Sequence, residues 1–138
     1  MRLALYFLCS LLGFAQLSSA QDIAADVFNC RFVGTERTII PETVVAARIV
    51  EDGTVLVSDP YTQYFSESVI EAARLRDDDK ILVVKWDYTL IYQDINTKVL
   101  AKLTIQRKNG KAQFTADAPQ YRYRDSVGGK CTMQRGKL

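Results

Sequence analysis

Two cysteines, a basic stretch interleaved with tyrosines and one row of aromatic side chains are the residues of this 138-residue chain with the most scope for chemistry. Histidine is absent, which removes the commonest general acid/base and metal ligand and every nucleophilic triad that depends on imidazole. No serine sits in a Gly-x-Ser-x-Gly turn, and Gly128-Gly129 runs into Lys130 without the spacing of a phosphate-binding loop. The acidic residues gather where turns are expected, as Glu51-Asp52 and Asp77-Asp78-Asp79, and solvated turns are not the facing carboxylate pair that glycoside hydrolysis needs. The Asp77 to Asp79 run also lacks the alternating ligands and closing glutamate of a calcium loop. The expectation is a non-enzymatic protein with no metal and no cofactor.

The cysteines depend on the compartment. Arg2, the apolar run from Leu3 to Leu17 and the small residues Ser18-Ser19-Ala20 follow the order of a secretory signal peptide, so residues 1–20 are expected to be removed and residues 21–138 to form one exported domain, periplasmic or secreted. The run is too short to span a membrane, and no transmembrane span is expected after processing. Cys9 lies inside the apolar run rather than at the new N-terminus, which argues against a lipid anchor. Cys30 and Cys131 remain, an even pair that an oxidising compartment turns into a disulfide. A reactive thiol would need a nearby histidine or a Cys-x-x-Cys spacing, and neither is present. Such a bridge ties the first strand to the last.

Charge divides along the chain. Residues 21–79 hold 12 acidic and 5 basic side chains, whereas residues 80–138 hold 12 basic and 4 acidic ones. Arg107, Lys108, Lys111, Arg122, Arg124 and Lys130 are the candidate anion-binding residues, because guanidinium forks match carboxylate, phosphate and sulfate groups. Tyr121 and Tyr123 alternate with the arginines and should point to the opposite face of a strand. The competing expectation is that strands from the two halves lie side by side and pair these charges across the sheet. Trp86, Tyr88 and Tyr92 form an aromatic row that serves either as core or as the lining of a pocket for an apolar or sugar ligand.

The elements that position these groups are read from period-2 alternation. Strands are expected at residues 27–33, 43–51, 54–58, 81–92 and 97–106, another starting near Ala112, and two more at 120–124 and 130–134. Asp52-Gly53 is the signature of a two-residue type I′ hairpin, and Lys108-Asn109-Gly110 marks a second turn. Residues 65–76 lack alternation; Ser66 or Ser68 as cap, Glu71 as its capping-box partner and Ala72-Ala73 predict one short helix there, with an edge strand as the alternative. The fold class is therefore mainly β: a small antiparallel barrel of seven or eight strands with one short helix, ahead of a two-sheet sandwich or an α+β arrangement.

The function these residues predict is that of an exported binding or structural module of a bacterial envelope, monomeric, that meets an anionic partner through its basic C-terminal half. Nucleic acid is not expected of an exported protein. A second reading is a small secreted enzyme inhibitor presenting a charged loop at 107–111 or 125–130. In size and compartment the chain resembles small disulfide-tied barrels that inhibit lysozymes, an analogy of fold alone. The third is a carrier like the lipocalins or avidins, with its ligand inside the barrel.

Overall fold

The computed structural model describes residues 22–66 and 69–138. The expected leader, residues 1–20, lies outside the described residues. Alternating apolar residues build eight strands: β1 (Ala24–Phe32), β2 (Thr43–Ile49), β3 (Val55–Ser58), β4 (Ile70–Asp77), β5 (Ile81–Tyr92), β6 (Ile95–Gln106), β7 (Lys111–Ala118) and β8 (Tyr123–Lys137). Each pairs antiparallel with the next and β8 pairs back onto β1, so the sheet closes into a barrel and no long strand edge is left to recruit another chain. Closure decides between the barrel and the sandwich or α+β alternatives.

The even residues Leu82, Val84, Trp86, Tyr88 and Leu90 of β5 are buried, as are Val99, Ala101, Leu103 and Ile105 of β6 and Phe28, Cys30 and Phe32 of β1. At the centre Phe114 meets both Phe32 and Trp86 edge to face, each at 5.5 Å between ring centroids. The interior is filled by its own side chains, as the width of an eight-stranded barrel allows. Outward positions of β5 and β6 carry Lys85, Asp87, Lys98 and Lys102, all exposed, the opposite of the apolar outer band of a membrane-spanning barrel. Among the described residues no helix is long and apolar enough to cross a membrane.

The seam between the chain ends is a ladder running from Ala24 opposite Lys137 to Phe32 opposite Gly129. Cys30 stands directly opposite Cys131, and their sulfurs are bonded at 2.04 Å. Gly129 makes the close approach possible: a Cβ there would lie 2.4 Å from both the Arg31 carbonyl oxygen and the Phe32 ring.

Three local expectations are corrected. The helix is not at 65–76; it is α1 (Pro60–Ser66), and Ile70–Asp77 is strand β4. Asp59 starts the helix by accepting the Tyr61 and Thr62 N–H groups, with Pro60 at the first helical position, where its missing N–H costs nothing. Alternation is masked in β4 because a bulge interrupts the register between Arg74 and Arg76 and because Arg74 stands opposite the inward-facing Val84. The strands expected at 120–124 and 130–134 are one continuous β8, preceded by a 3-10 turn over Pro119–Tyr121 with Arg122 left-handed at φ 51°. Finally, the hairpin at Asp52-Gly53 exists but is wider than two residues: only Gly53 has positive φ, 72°, and its N–H donates to the Ile49 carbonyl. Positive φ at both central residues, the requirement of a type I′ turn, occurs instead at Gln93 and Asp94, 49° and 61°.

Candidate functional site

Up-and-down connectivity puts successive turns at alternate ends of the barrel. The β2–β3, β4–β5 and β6–β7 turns share the lower end with both strand termini, Ala24 and Lys137. The β1–β2 loop, α1, the Gln93-Asp94 turn and the 3-10 turn share the upper end.

The lower end is closed by ions. Asp77 accepts from Arg48 Nε at 2.7 Å, Arg107 Nη2 at 2.5 Å and Arg74 Nη1 at 3.3 Å, and Arg107 also lies over the Phe28 ring at 5.8 Å. Burial pushes the Asp77 carboxyl up, but the Arg48 hydrogen bond and the Arg48 and Arg107 charges outweigh it and hold the group below the usual carboxylate range. Asp26, buried, pairs with Arg135 at 2.7 Å, and Lys137 with Asp22 at 3.0 Å. The acidic and basic halves of the chain therefore do pair, at this end. Arg107 is consequently withdrawn from the anion-binding candidates: it faces inward and Asp77 occupies it.

The other five candidates behave differently. Lys108, Lys111, Arg122, Arg124 and Lys130 are exposed and form no ion pair among the described residues. Lys111 and Lys130 are direct neighbours on β7 and β8, and Lys130 stands opposite Arg31 on β1, so three cations occupy one row across the outer wall. Arg31 alone of these has an acid, Glu42, at 3.0 Å. A second row begins with Lys85 opposite Lys102 and continues through Thr115 and Ser126. Arg124 lies opposite Asp117 without forming an ion pair. Gln113, between the rows, donates to the Ser126 hydroxyl at 2.9 Å, and Thr115 meets the same hydroxyl at 3.3 Å. Arg122 belongs to the upper turn rather than to this wall. Residues 125–130 lie within β8, and 107–111 form a tight turn anchored by Arg107, so neither segment projects as a loop.

The aromatic row divides. Trp86 is core, its Nε1 donating to Asp59 Oδ2 at 3.2 Å, and Tyr88 is core, stacked on Tyr61 at 5.1 Å with its hydroxyl donating to the Ile39 carbonyl. Burial raises the Tyr88 and Tyr61 phenols, with the Asp59 charge adding to both. It also raises Asp59 itself, against the lowering by the Thr62, Trp86 and Tyr61 donors. Tyr92 instead lines a cavity of about 580 Å³ at the upper mouth, together with Arg37, Tyr61, Tyr121 and Tyr123. A cleft of about 390 Å³ lies on the barrel side over β4, β5 and β6; Trp86 contributes to its lining, and it is bordered by both Lys85 and the acids Glu71 and Asp87.

No protein family matches the chain, and no curated protein or solved structure matches it either. The function must be argued from its own surfaces. Reading along the sequence missed Lys85, Lys102 and Arg31 as members of the basic wall, because only the strand register sets Lys85 opposite Lys102 and Arg31 opposite Lys130. Arg37 and Tyr61 carried no local signal of the mouth.

Proposed function

We propose that this protein is an exported, non-enzymatic binding module of the bacterial envelope that holds an anionic polysaccharide along the outer wall of β5–β8. The observation that carries the reading is the pair of like-charge rows, Lys85 with Lys102 and Lys111 with Lys130 and Arg31. Like charges directly opposite each other in a sheet destabilise it. The lower end shows that this chain builds carboxylate partners where it pairs arginines, yet Glu42 is the one acid paired with any of these five side chains among the described residues. A repeating line of carboxylate, phosphate or sulfate groups would relieve both rows at once. Thr115 and Ser126 in the second row and Gln113 between the rows offer hydrogen-bonding groups to sugar hydroxyls. Lys130 and Arg124 are six residues apart on one strand, about 20 Å at the rise of a β-strand, a length suited to a polymer rather than to a single ion.

Retention on immobilised dextran sulfate tests the reading. The oxidised protein should be retained at low salt, eluted as ionic strength rises, and pass through a neutral dextran column. Lys111→Glu/Lys130→Glu should abolish retention. Absence of retention at low salt, or equal retention of the variant, would contradict the assignment. Export is checked separately by sequencing the N-terminus of the protein recovered from its source, which should begin at Gln21.

A further inference from the structure

The upper mouth is a second surface, built from different residues. Its cavity of about 580 Å³ falls within the size range of small-molecule sites. The β1–β2 loop supplies Arg37, α1 supplies Tyr61, the end of β5 supplies Tyr92, the 3-10 turn between β7 and β8 supplies Tyr121, and the start of β8 supplies Tyr123. Their rings are held by packing: Tyr61 stacks on the buried Tyr88, and Tyr92 meets Tyr121 edge to face at 5.1 Å. The left-handed Arg122 turns the chain sharply enough to bring Tyr121 and Tyr123 to the same opening.

Two observations point to a ligand. First, Tyr121 lines the cavity and its hydroxyl is buried without a hydrogen-bond partner among the described residues, a costly state for a polar group. The Tyr61 and Tyr92 hydroxyls likewise make no hydrogen bond within the described residues, whereas Tyr123 donates to Asp125 at 3.1 Å. Second, Arg37 lines the opening, is exposed, and has no ion pair there, although Glu36 precedes it in the chain. Aromatic faces with free hydroxyl edges match a pyranose ring, which has apolar C–H faces and a rim of hydroxyls. A guanidinium beside them matches a carboxylate on that ring, in a two-pronged contact.

We propose that the mouth bounded by Arg37, Tyr61, Tyr92 and Tyr121 binds one acidic sugar ring, the carboxylate on Arg37 and the ring face against the tyrosines. The site shares no residue with the basic wall and does not depend on it.

Titration of the oxidised full chain with sodium glucuronate, followed by amide NMR, tests the proposal, with glucose and sodium sulfate as controls. Glucuronate should bind saturably and shift amides of residues 37–39, 91–92 and 121–123. Glucose and sulfate should each bind at least tenfold more weakly. Arg37→Ala should weaken glucuronate at least tenfold with unchanged melting temperature, since its side chain is exposed, and Tyr92→Ala at least fivefold with the oxidised barrel still folded by its amide spectrum. Lys111→Glu/Lys130→Glu should leave glucuronate binding unchanged. No saturable binding, equal binding of glucose or sulfate, or full binding by Arg37→Ala would overturn the proposal. Loss of glucuronate binding in the lysine variant alone would also overturn it, and would assign the sugar to the wall instead.

Discussion

Removing the disulfide should cost this barrel a large part of its stability, and the structure sets the amount. Cys30 and Cys131 are separated by 101 positions in sequence, yet they face each other within the β1–β8 ladder. The crosslink therefore closes a loop of about 102 residues in the unfolded chain, for which the chain-entropy relation gives about 4.7 kcal/mol at 25 °C. The other rungs of the seam, from Ala24 opposite Lys137 to Phe32 opposite Gly129, remain when the bridge is removed, so the barrel still closes. Residual order in the unfolded state reduces the gain, and about 3–4 kcal/mol is expected for Cys30→Ala/Cys131→Ala. Urea denaturation of the oxidised protein and the double variant measures it. With a slope of about 1–3 kcal/mol/M, the midpoint should fall by more than about 1 M, and the variant should show the steeper slope because its unfolded chain exposes more surface. A loss below about 1 kcal/mol, or two free thiols in the natively isolated protein, would refute the reasoning.

Gly129→Ala should destabilise by about 2–3 kcal/mol in the same assay, because the added methyl meets backbone at Arg31 as well as the Phe32 ring; a neutral result would show that the seam is looser than described. Asp77→Asn leaves Arg48, Arg74 and Arg107 together without their acid and should cost about 2–3 kcal/mol at pH 7, less than a fully buried pair because Arg74 is nearly half exposed. Since the folded state holds Asp77 below its usual range, its contribution is present above about pH 4 and is lost as pH falls through the folded value, so the penalty of Asp77→Asn should shrink in acid. Asp59 has the opposite sign. Its raised folded value means its contribution is most favourable below about pH 4 and is lost as pH rises through that value, so Asp59→Asn should be less destabilising at pH 7 than at pH 4. Melting temperatures at the two pH values decide it, and an equal or larger penalty at pH 7 would contradict the burial argument.

How much of this was legible in the sequence varied with the side chains involved. Residues 81–92 were readable to the residue, because β5 has an apolar side chain at every inward position and Lys85 and Asp87 on the other face. The cysteine pairing was readable because the expected leader takes Cys9 and leaves Cys30 and Cys131 as one pair. β4 was not, because its inward Arg74 belongs to an ionic layer and its bulge breaks the period of two. The helix start was present in the sequence as Asp59-Pro60, a cap followed by proline at the first helical position, but Ser66 and Ser68 carried the same signal nearby. The Gln93-Asp94 turn has no glycine to announce it. Arg107 reads like any surface cation, and only the closure of the barrel brings Asp77 to it. The basic wall itself is a property of register, since Lys85 and Lys102, and likewise Lys111, Lys130 and Arg31, are far apart in sequence and neighbours only across the strands.

The most direct test of the central claim is a residue-by-residue map of polysaccharide binding. Amide NMR of the oxidised protein titrated with a short dextran sulfate at low salt should show changes concentrated on the outward positions of β5–β8, with Lys85, Lys102, Lys111, Arg124 and Lys130 foremost, fading as salt is added. A map confined to the arginine layer at the lower end, or no change at any salt concentration, would contradict the account.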